Sequence, residues 1–527
     1  MSTQSTRSPR RLSVAMIVRD EQEVLADTLA SVQGIADEVQ VLDTGSLDRT
    51  PSLAAEWGAV VSAARWAEDF AAARNLLFGQ LRGDWVLWLD AGERLDPDSS
   101  RALRAFVDDE ADPASVYFVM VEIPGERHGH AEQAARLRLM PNRRGLRFEG
   151  RLCESVRPSA LAAGLRLVRA PGRILCHRRR NDPRRKADKA VRDLRLIDAH
   201  VREGASMTPR LWLALGEAYS NLNQPVLAEQ AFVHAIRAAA NGSTEMLEGY
   251  YGLLTVLGAD QTQRQRQLLA ATEALEVYPF DAQLLCALGG YLQAQGRLDL
   301  AERSFRTAVQ YGQIDLETWH LARIAEVAAA CLSLTLRLQD KNQEAAGVLE
   351  EALIGSPSSR WLRRQLLDLC IKLGRDDDAI RLAGALWPDP PQRAWMGDVV
   401  RGACQAARQQ WGLALALLQG AYLAGCREPI ALRWLAVALL SNGEVEAARP
   451  ILHQWHQAEP HHREVQIYLD ALQKRDQGAE ARGVSSATGP QQPRYVRFDV
   501  ASPVRHPSPV SSSGVPQELW PRGSGGM

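Results

Sequence analysis

The sequence predicts an α/β domain with a mostly parallel sheet, followed by an all-α solenoid of helical repeats and a disordered C-terminal tail. Three observations predict it. From Leu12 to about Asp90 short apolar runs alternate with amphipathic stretches, the signature of βαβ units. From about Met207 the helical period is almost continuous and small and large residues recur at a fixed interval, which marks stacked repeats. After about Lys474 the chain turns rich in Ser, Pro, Gly and Gln, too polar to bury a core.

The first strand is Leu12 to Val18, followed by a helix that carries Leu25, Leu29 and Val32 on one face and closes at Gly34. The second strand, Glu38 to Leu42, leads through the turn Asp43-Thr44-Gly45-Ser46 into a helix with Pro51 in its first turn and Gly58 past its end. A third helix runs from about Asp69 to Leu81 and ends at Gly83. The run Trp85-Val86-Leu87-Trp88-Leu89 is apolar on both faces, as a central parallel strand requires. Between Ser115 and Arg173 the helical period fades, and Val116 to Ile123, Arg136 to Met140 and Leu146 to Leu152 read as further strands.

In the helical half, Trp212, Leu215, Gly216, Tyr219, Ala228, Phe232 and Ala235 fall at the spacings of the tetratricopeptide pattern, whose period is about 34 residues. A second strong copy holds Leu285, Leu288, Gly289, Ala301, Phe305 and Ala308, preceded by Pro279. Weaker copies follow at Ala345, Leu349, Ala352 and Pro357, at Ala379, at Gly402, Ala414, Leu418 and Ala421, and around Ala448, Leu452 and Pro460. The small residues belong where two helices approach closely, and an unrelated helical bundle is the alternative. The expected boundaries are a disordered 1–11, an α/β domain over 12–180, a linking helix over 181–206, repeats over 207–474 and a disordered 475–527.

Composition excludes some functions. With 527 residues and a formal net charge of -1, the chain is multidomain and has no bulk pull toward nucleic acid or membrane. Its seven cysteines form no C-x-x-C pair, so they read as small buried residues in a reducing compartment. No apolar run of about 20 residues is present, and the polar, basic Met1 to Arg11 runs into Leu12 to Val18, a strand-length apolar segment without the small-residue cleavage site of a signal peptide. A cytoplasmic location is the expectation.

In open parallel sheets ligands bind beyond the carboxyl ends of strands, so Arg19-Asp20-Glu21, Asp43-Thr44-Gly45-Ser46 and Asp90-Ala91-Gly92-Glu93 are the informative positions. Neither G-x-G-x-x-G nor G-x-x-x-x-G-K-[ST] occurs, which argues against a dinucleotide oxidoreductase or a P-loop enzyme. Phosphate is then expected on metal and arginine rather than in a glycine cradle.

The segments Ser13 to Glu21, Val41 to Thr50, Ala72 to Asn75 and Asp84 to Ala91, in that order, resemble the family-2 glycosyltransferases, in particular the bacterial branch whose short catalytic domain precedes tetratricopeptide repeats. The stretches Arg138 to Asn142 and Arg147 to Glu154 extend the resemblance, which covers about Leu12 to His177. It implies a glycosyltransferase A fold, a nucleotide-diphosphate sugar donor, Mg²⁺ or Mn²⁺, inversion at the anomeric carbon, and a protein or glycan acceptor, with the repeats binding acceptor or partner protein.

Carried over by position, Asp43 with Gly45 would meet the base, and Glu21 and the backbone around Ile17 would line the nucleoside. Arg74 and Asn75 would face the diphosphate or nucleoside. Asp90 would hold the metal with help from Glu93, Glu154 would be the general base, and His177 would reach the diphosphate. Plain alternatives are a turn acid at Asp43, a helix face at Arg74-Asn75, a helix cap at Glu93, a surface acid at Glu154 and a structural histidine at His177. The basic cluster Arg178, Arg179, Arg180, Arg184, Arg185 and Lys186 reads as a solvated linker face, with donor phosphates or an anionic membrane surface as its alternative partners. Two departures touch the chemistry: Gly92 stands where the family usually has a second aspartate, and Cys153 where it usually has a histidine. A degenerate domain on a protein-binding scaffold is therefore the competing reading; a nucleotidyltransferase is disfavoured because its lysine-containing phosphate loop is missing.

Overall fold

The computed structural model describes residues 10–125, 131–176, 182–460 and 462–480. The expected disordered 1–11 and 475–527 lie largely outside the described residues. Two compact units divide the chain, with the boundary after Ala328. It falls inside the repeats, so the first repeats belong with the α/β domain in one unit.

The α/β domain starts with β1 (Leu12–Val18), α1 (Leu25–Val32), β2 (Glu38–Asp43), α2 (Thr50–Glu56), β3 (Val60–Ala63), α3 (Phe70–Phe78) and β4 (Trp85–Trp88). β1 pairs in parallel with both β2 and β4, and β2 with β3. Met16 and Leu87, like all of β4 nearly, are closed off from solvent, because helices cover both faces of the parallel strands. Gly34 and Gly58 take positive φ of 82° and 81° just past α1 and α2, a conformation that would strain any residue with a Cβ. Asp69 caps α3 by accepting from the Ala72 amide. That helix stops at Phe78, three residues before the expected Leu81.

The second half comprises β5 (Glu93–Leu95), α4 (Pro97–Asp109), β6 (Ser115–Ile123), β7 (Glu132–Pro141), α5 (Arg157–Ala162) and β8 (Arg166–Cys176). Among the described residues the sheet order is β3-β2-β1-β4-β7-β6-β8-β5. β7 runs antiparallel to β4 and to β6, so the sheet is parallel on one side and mixed on the other. Strand order reverses between β1 and β4, which opens the crevice where β1, β2 and β4 end.

One expected strand is absent. Leu146 to Leu152 forms an irregular segment with a single bridge between Glu149 and Ser155. Gly145 and Gly150 break it at φ of 95° and 105°, and the Asn75 side chain takes both hydrogen bonds of the Phe148 backbone, donating to its carbonyl at 2.9 Å and accepting from its amide at 2.7 Å. A side chain thus satisfies what a neighbouring strand would have paired. Leu146 and Phe148 are buried all the same, and that burial is what imitated a strand.

Helix α6 (Pro183–Arg202) links the α/β domain to α7 (Pro209–Asn221) and α8 (Pro225–Ala238), α9 (Thr244–Gly258) and α10 (Arg264–Val277), and α11 (Ala282–Ala294) and α12 (Leu298–Tyr311). These are antiparallel pairs of the tetratricopeptide kind. The reason for their glycines is steric: a Cβ at Gly216 or at Gly289 would lie 2.7 Å from the ring of Phe232 or Phe305 on the partner helix. After α12 the chain returns to the α/β domain, where β9 (His320–Leu321) pairs antiparallel with Glu132 and Gln133 of β7.

The second unit continues with helices such as Asn342–Gly355 and Arg360–Leu373. The same small-against-large device recurs there, since a Cβ at Gly402 would meet Leu418 at 2.8 Å. Among the described residues, no helix is long and apolar enough to cross a membrane. All seven cysteines are free thiols.

Candidate active site

The turns after β1 and β2 are stitched into one wall. Asp20, at φ 56°, accepts from the Leu47 amide at 2.7 Å, while its own amide donates to Ser46 Oγ at 2.9 Å. The Glu21 amide donates to Thr50 Oγ1 at 2.7 Å, and its carboxylate meets Arg185 at 3.1 Å. Asp43, nearly buried at the end of β2, accepts from the Gly45 and Ser46 amides at 3.2 and 3.1 Å and from the Ser46 hydroxyl. These bonds let Gly45 turn at φ 107° and fix the turn's backbone beside the crevice. Ile17 lies next to the end of β1, paired with Leu42.

Beside this wall runs a line of alternating charges. Glu93 is 3% exposed at its side chain and receives Arg138 at 2.6 Å; Arg138 also reaches Asp90 at 2.9 Å. Asp90, 17% exposed, receives Arg74 at 3.2 Å, and Arg74 donates through Nε to Glu154 at 2.6 Å. Arg74 and Glu154 are 4% and 2% exposed. The Arg74 guanidinium lies over Trp88 at 4.5 Å and over Phe148 at 5.2 Å, so aromatic faces support it on the strand and on the irregular segment. Burial works against the charge of Arg138, yet Asp90 and Glu93 outweigh it and hold its pKa above the ordinary arginine value.

This line brings together four residues singled out in the sequence, Arg74, Asp90, Glu93 and Glu154. Glu93 faces inward: besides Arg138 it accepts from the Asp90 amide at 2.9 Å, so its oxygens serve to orient Asp90. Gly92, at φ 86°, has its amide held by Thr28 Oγ1 at 2.9 Å. Asn75 sits apart from the charges and serves the Phe148 backbone. His177 and Arg178 to Arg180 lie outside the described residues. Arg138 was missed as a site residue although it stands in the quoted segment; only the antiparallel pairing of β7 with β4 brings it to Asp90.

Cys153 has φ 57° and packs with Leu211 and Ala214 of α7. Burial, followed by the charges of Glu217 and Glu154, pushes its thiol up to about 12, which rules out a thiolate at neutral pH. Glu154 Oε1 is spent on Arg74, whereas its Oε2 has no hydrogen-bond partner among the described residues.

The donor set bears on a metal. Among the described residues no three His, Cys, Asp or Glu side chains converge as a ready cage. Asp90 offers one partly exposed carboxylate, with Arg74 on one oxygen and Arg138 on the other. Among the described residues the line holds three carboxylates against two guanidiniums, a formal charge of -1 (2 − 3), which a cation at Asp90 would offset beside a diphosphate. Mg²⁺ is commonly held by one or two carboxylates plus substrate phosphates, so the residues fit a single-carboxylate site at Asp90.

Comparison with known proteins gives the following. Residues 13–167 match the family model described as Glycosyl transferase family 2. A TPR repeat-containing protein of Synechococcus elongatus is 41% identical over 152 residues, which is 29% of this chain and 37% of the relative. An uncharacterized glycosyltransferase of Rickettsia typhi is 32% identical over 89 residues, 17% of this chain and 30% of the relative. The chain thus spans about a third of the length of the curated relatives it matches. Among solved structures, a tetratricopeptide repeat protein from Parabacteroides merdae is 15% identical with a TM-score of 0.36, covering 50% of this chain and 97% of the other. That score is too low to bear on fold or function.

Proposed function

We propose that this chain, which joins a family 2 glycosyltransferase domain to tetratricopeptide repeats, moves a sugar from a nucleotide-diphosphate sugar onto a hydroxyl of a protein or glycan acceptor, with inversion. The observation that carries the reading is Arg74, which ties Asp90 on the crevice side to Glu154, whose second oxygen has no hydrogen-bond partner among the described residues. The wall built by Asp43, Gly45, Glu21 and the end of β1 near Ile17 would receive base and ribose. Asp90 would hold Mg²⁺ or Mn²⁺, which when bound supplies positive charge to the leaving diphosphate. Glu93 and Arg138 keep Asp90 oriented toward the crevice.

Glu154 is the proposed general base. Its Oε2 takes the proton of the acceptor hydroxyl while that oxygen forms a bond to the anomeric carbon, and the bond from that carbon to the phosphate oxygen breaks on the opposite face. A single displacement of this kind inverts the carbon. Arg74 holds the base in place through Oε1 and leaves Oε2 available. A second reading, a non-catalytic domain carrying a protein-binding scaffold, draws on the arginine engaged at each oxygen of Asp90.

Turnover of a panel of nucleotide sugars by the full chain tests the proposal. Release of nucleoside diphosphate with one donor, stimulated by Mn²⁺ or Mg²⁺, is the expected result. Binding without turnover by any donor would favour the scaffold reading.

A further inference from the structure

Beside Glu154 lies a cavity of about 130 Å³ that the α/β domain shares with the first repeats. At the share of volume a water takes in the liquid, about 30 Å³, it has room for about four waters. Its walls include Arg138 and Glu154 from the α/β domain and Arg210, Glu217 and Glu248 from α7 and α9. The arginines in it are mostly paired: Arg74 with Glu154, Arg138 with Glu93, Arg157 with Glu317 and Arg210 with Glu245. Arg136 donates to the Glu317 carbonyl at 2.5 Å.

Glu217 and Glu248 differ. Neither makes a hydrogen bond or ion pair with any described residue, although both are partly buried and line the same space. Burial, reinforced by Glu248, raises the Glu217 carboxyl to about 7 against the pull of Lys189, whose nearest acid is Asp193 at 3.5 Å. Glu248 is raised too, by burial ahead of the opposing Arg136 and Arg210. Two acids that lack donors in one cavity are costly unless a ligand supplies them.

Arg138 adds an independent sign of a ligand. The residue lines this cavity, and its Nε is buried with no hydrogen-bond partner among the described residues. An oxygen acceptor such as a peptide carbonyl, reaching it from the cavity side, would satisfy it. The aromatic lining argues against a sugar stacked there: Phe118, Phe148 and Trp319 each have a guanidinium over the ring, from Arg157, Arg74 and Arg136 at 5.5, 5.2 and 5.1 Å.

We propose that this cavity seats the acceptor, that the acceptor is a polypeptide, and that Glu217 and Glu248 grip a basic side chain of it near the hydroxyl presented to Glu154. The proposal rests on the transferase reading above. The repeats thereby take part in choosing the substrate, since both gripping residues come from them. A guanidinium or ammonium group between the two carboxylates gives each a charge-assisted donor and removes their mutual repulsion.

The test uses full-length protein and ligand-observed NMR with methylguanidinium and methylammonium as probes, against neutral methylurea and against maltose. The cations should bind, methylurea should not compete, and Glu217→Gln with Glu248→Gln should weaken the cations about tenfold, the worth of one charge-assisted hydrogen bond. Equal binding of methylurea, an unchanged affinity in the double variant, or maltose binding that the double variant removes would overturn the proposal. Nucleotide-sugar binding is followed on the same samples. Loss of donor binding with cation binding intact strikes the transferase reading alone; intact donor binding without cation binding strikes this inference alone. In a second arm, serine- and threonine-containing peptides are offered with the donor, and glycosylated products should be enriched in lysine and arginine; enrichment that is absent, or that survives in the double variant, would contradict it.

Discussion

Replacing Arg74 by methionine should destabilise the α/β domain strongly, and the structure says how strongly. The guanidinium is 4% exposed, its Nε lies 2.6 Å from Glu154, and Glu154 is 2% exposed. Without the arginine, Glu154 is a buried carboxylate with no partner, a loss of about 3–5 kcal/mol for a broken buried pair. Asp90 suffers less, because Arg138 still holds it at 2.9 Å. Methionine keeps much of the contact with Trp88 and Phe148, so lost packing adds little. The double change Arg74→Met with Glu154→Gln removes both charges and should recover about 2 kcal/mol or more of that loss. Native-state hydrogen exchange, read on the amides of Trp85 to Asp90 and Phe148 to Glu154, measures the effect locally and avoids assuming that a chain with two units unfolds in one step. A single-variant loss below about 1 kcal/mol, or a double variant as unstable as the single, would refute the claim that Arg74 is there to compensate Glu154.

Glu154→Gln should leave donor affinity within about twofold while lowering transfer by about a hundredfold or more, the usual scale of a lost general base; calorimetry and product assays read the two separately, and unchanged turnover rejects Glu154. Glu217 titrates near 7 in the fold against a starting value of 4.5, so the folded state holds its proton more tightly than the unfolded chain, and stability falls as pH rises between those values. Glu217→Gln should therefore stabilise the protein at pH 8 by at most about 3 kcal/mol and make no difference below pH 4.5, as thermal unfolding across that range would show. Gly216→Val places a Cβ 2.7 Å from Phe232 and should cost about 1–3 kcal/mol by overpacking, visible as faster exchange in α7 and α8.

Local chemistry made much of the fold legible. Short apolar runs identified β1, β2 and β4, the last of them apolar on both faces, and the glycines that take positive φ marked the ends of α1 and α2. The repeats could be read from Gly216 with Phe232 and Gly289 with Phe305, because the steric rule that pairs them depends only on spacing. Of the missed strands, β3, β5 and β9 have four, three and two residues, too short for any period to show, whereas in the eleven-residue β8 Arg166, Arg169, Pro171, Gly172 and Arg173 interrupt the apolar pattern. Their pairing is long-range, as when His320 reaches Gln133. The site divides in the same way. Motif position found Asp90, Arg74 and Glu154 singly, but the line joining them spans elements far apart in sequence, and Arg138 enters it only through sheet register. Glu217 and Glu248 look in the sequence like ordinary helix-surface acids, and the cavity alone reveals where they face.

The most direct test of the account is ligand-induced thermal stabilisation of the full chain across a panel of nucleotide sugars, with and without Mn²⁺ or Mg²⁺, because binding to the native state must raise apparent stability. The account predicts that one donor class stabilises the wild-type protein more in the presence of metal, and that Asp90→Asn removes the metal-dependent part while leaving the fold intact by circular dichroism. Stabilisation by no nucleotide sugar under either condition, or an equal metal effect in Asp90→Asn, would contradict it.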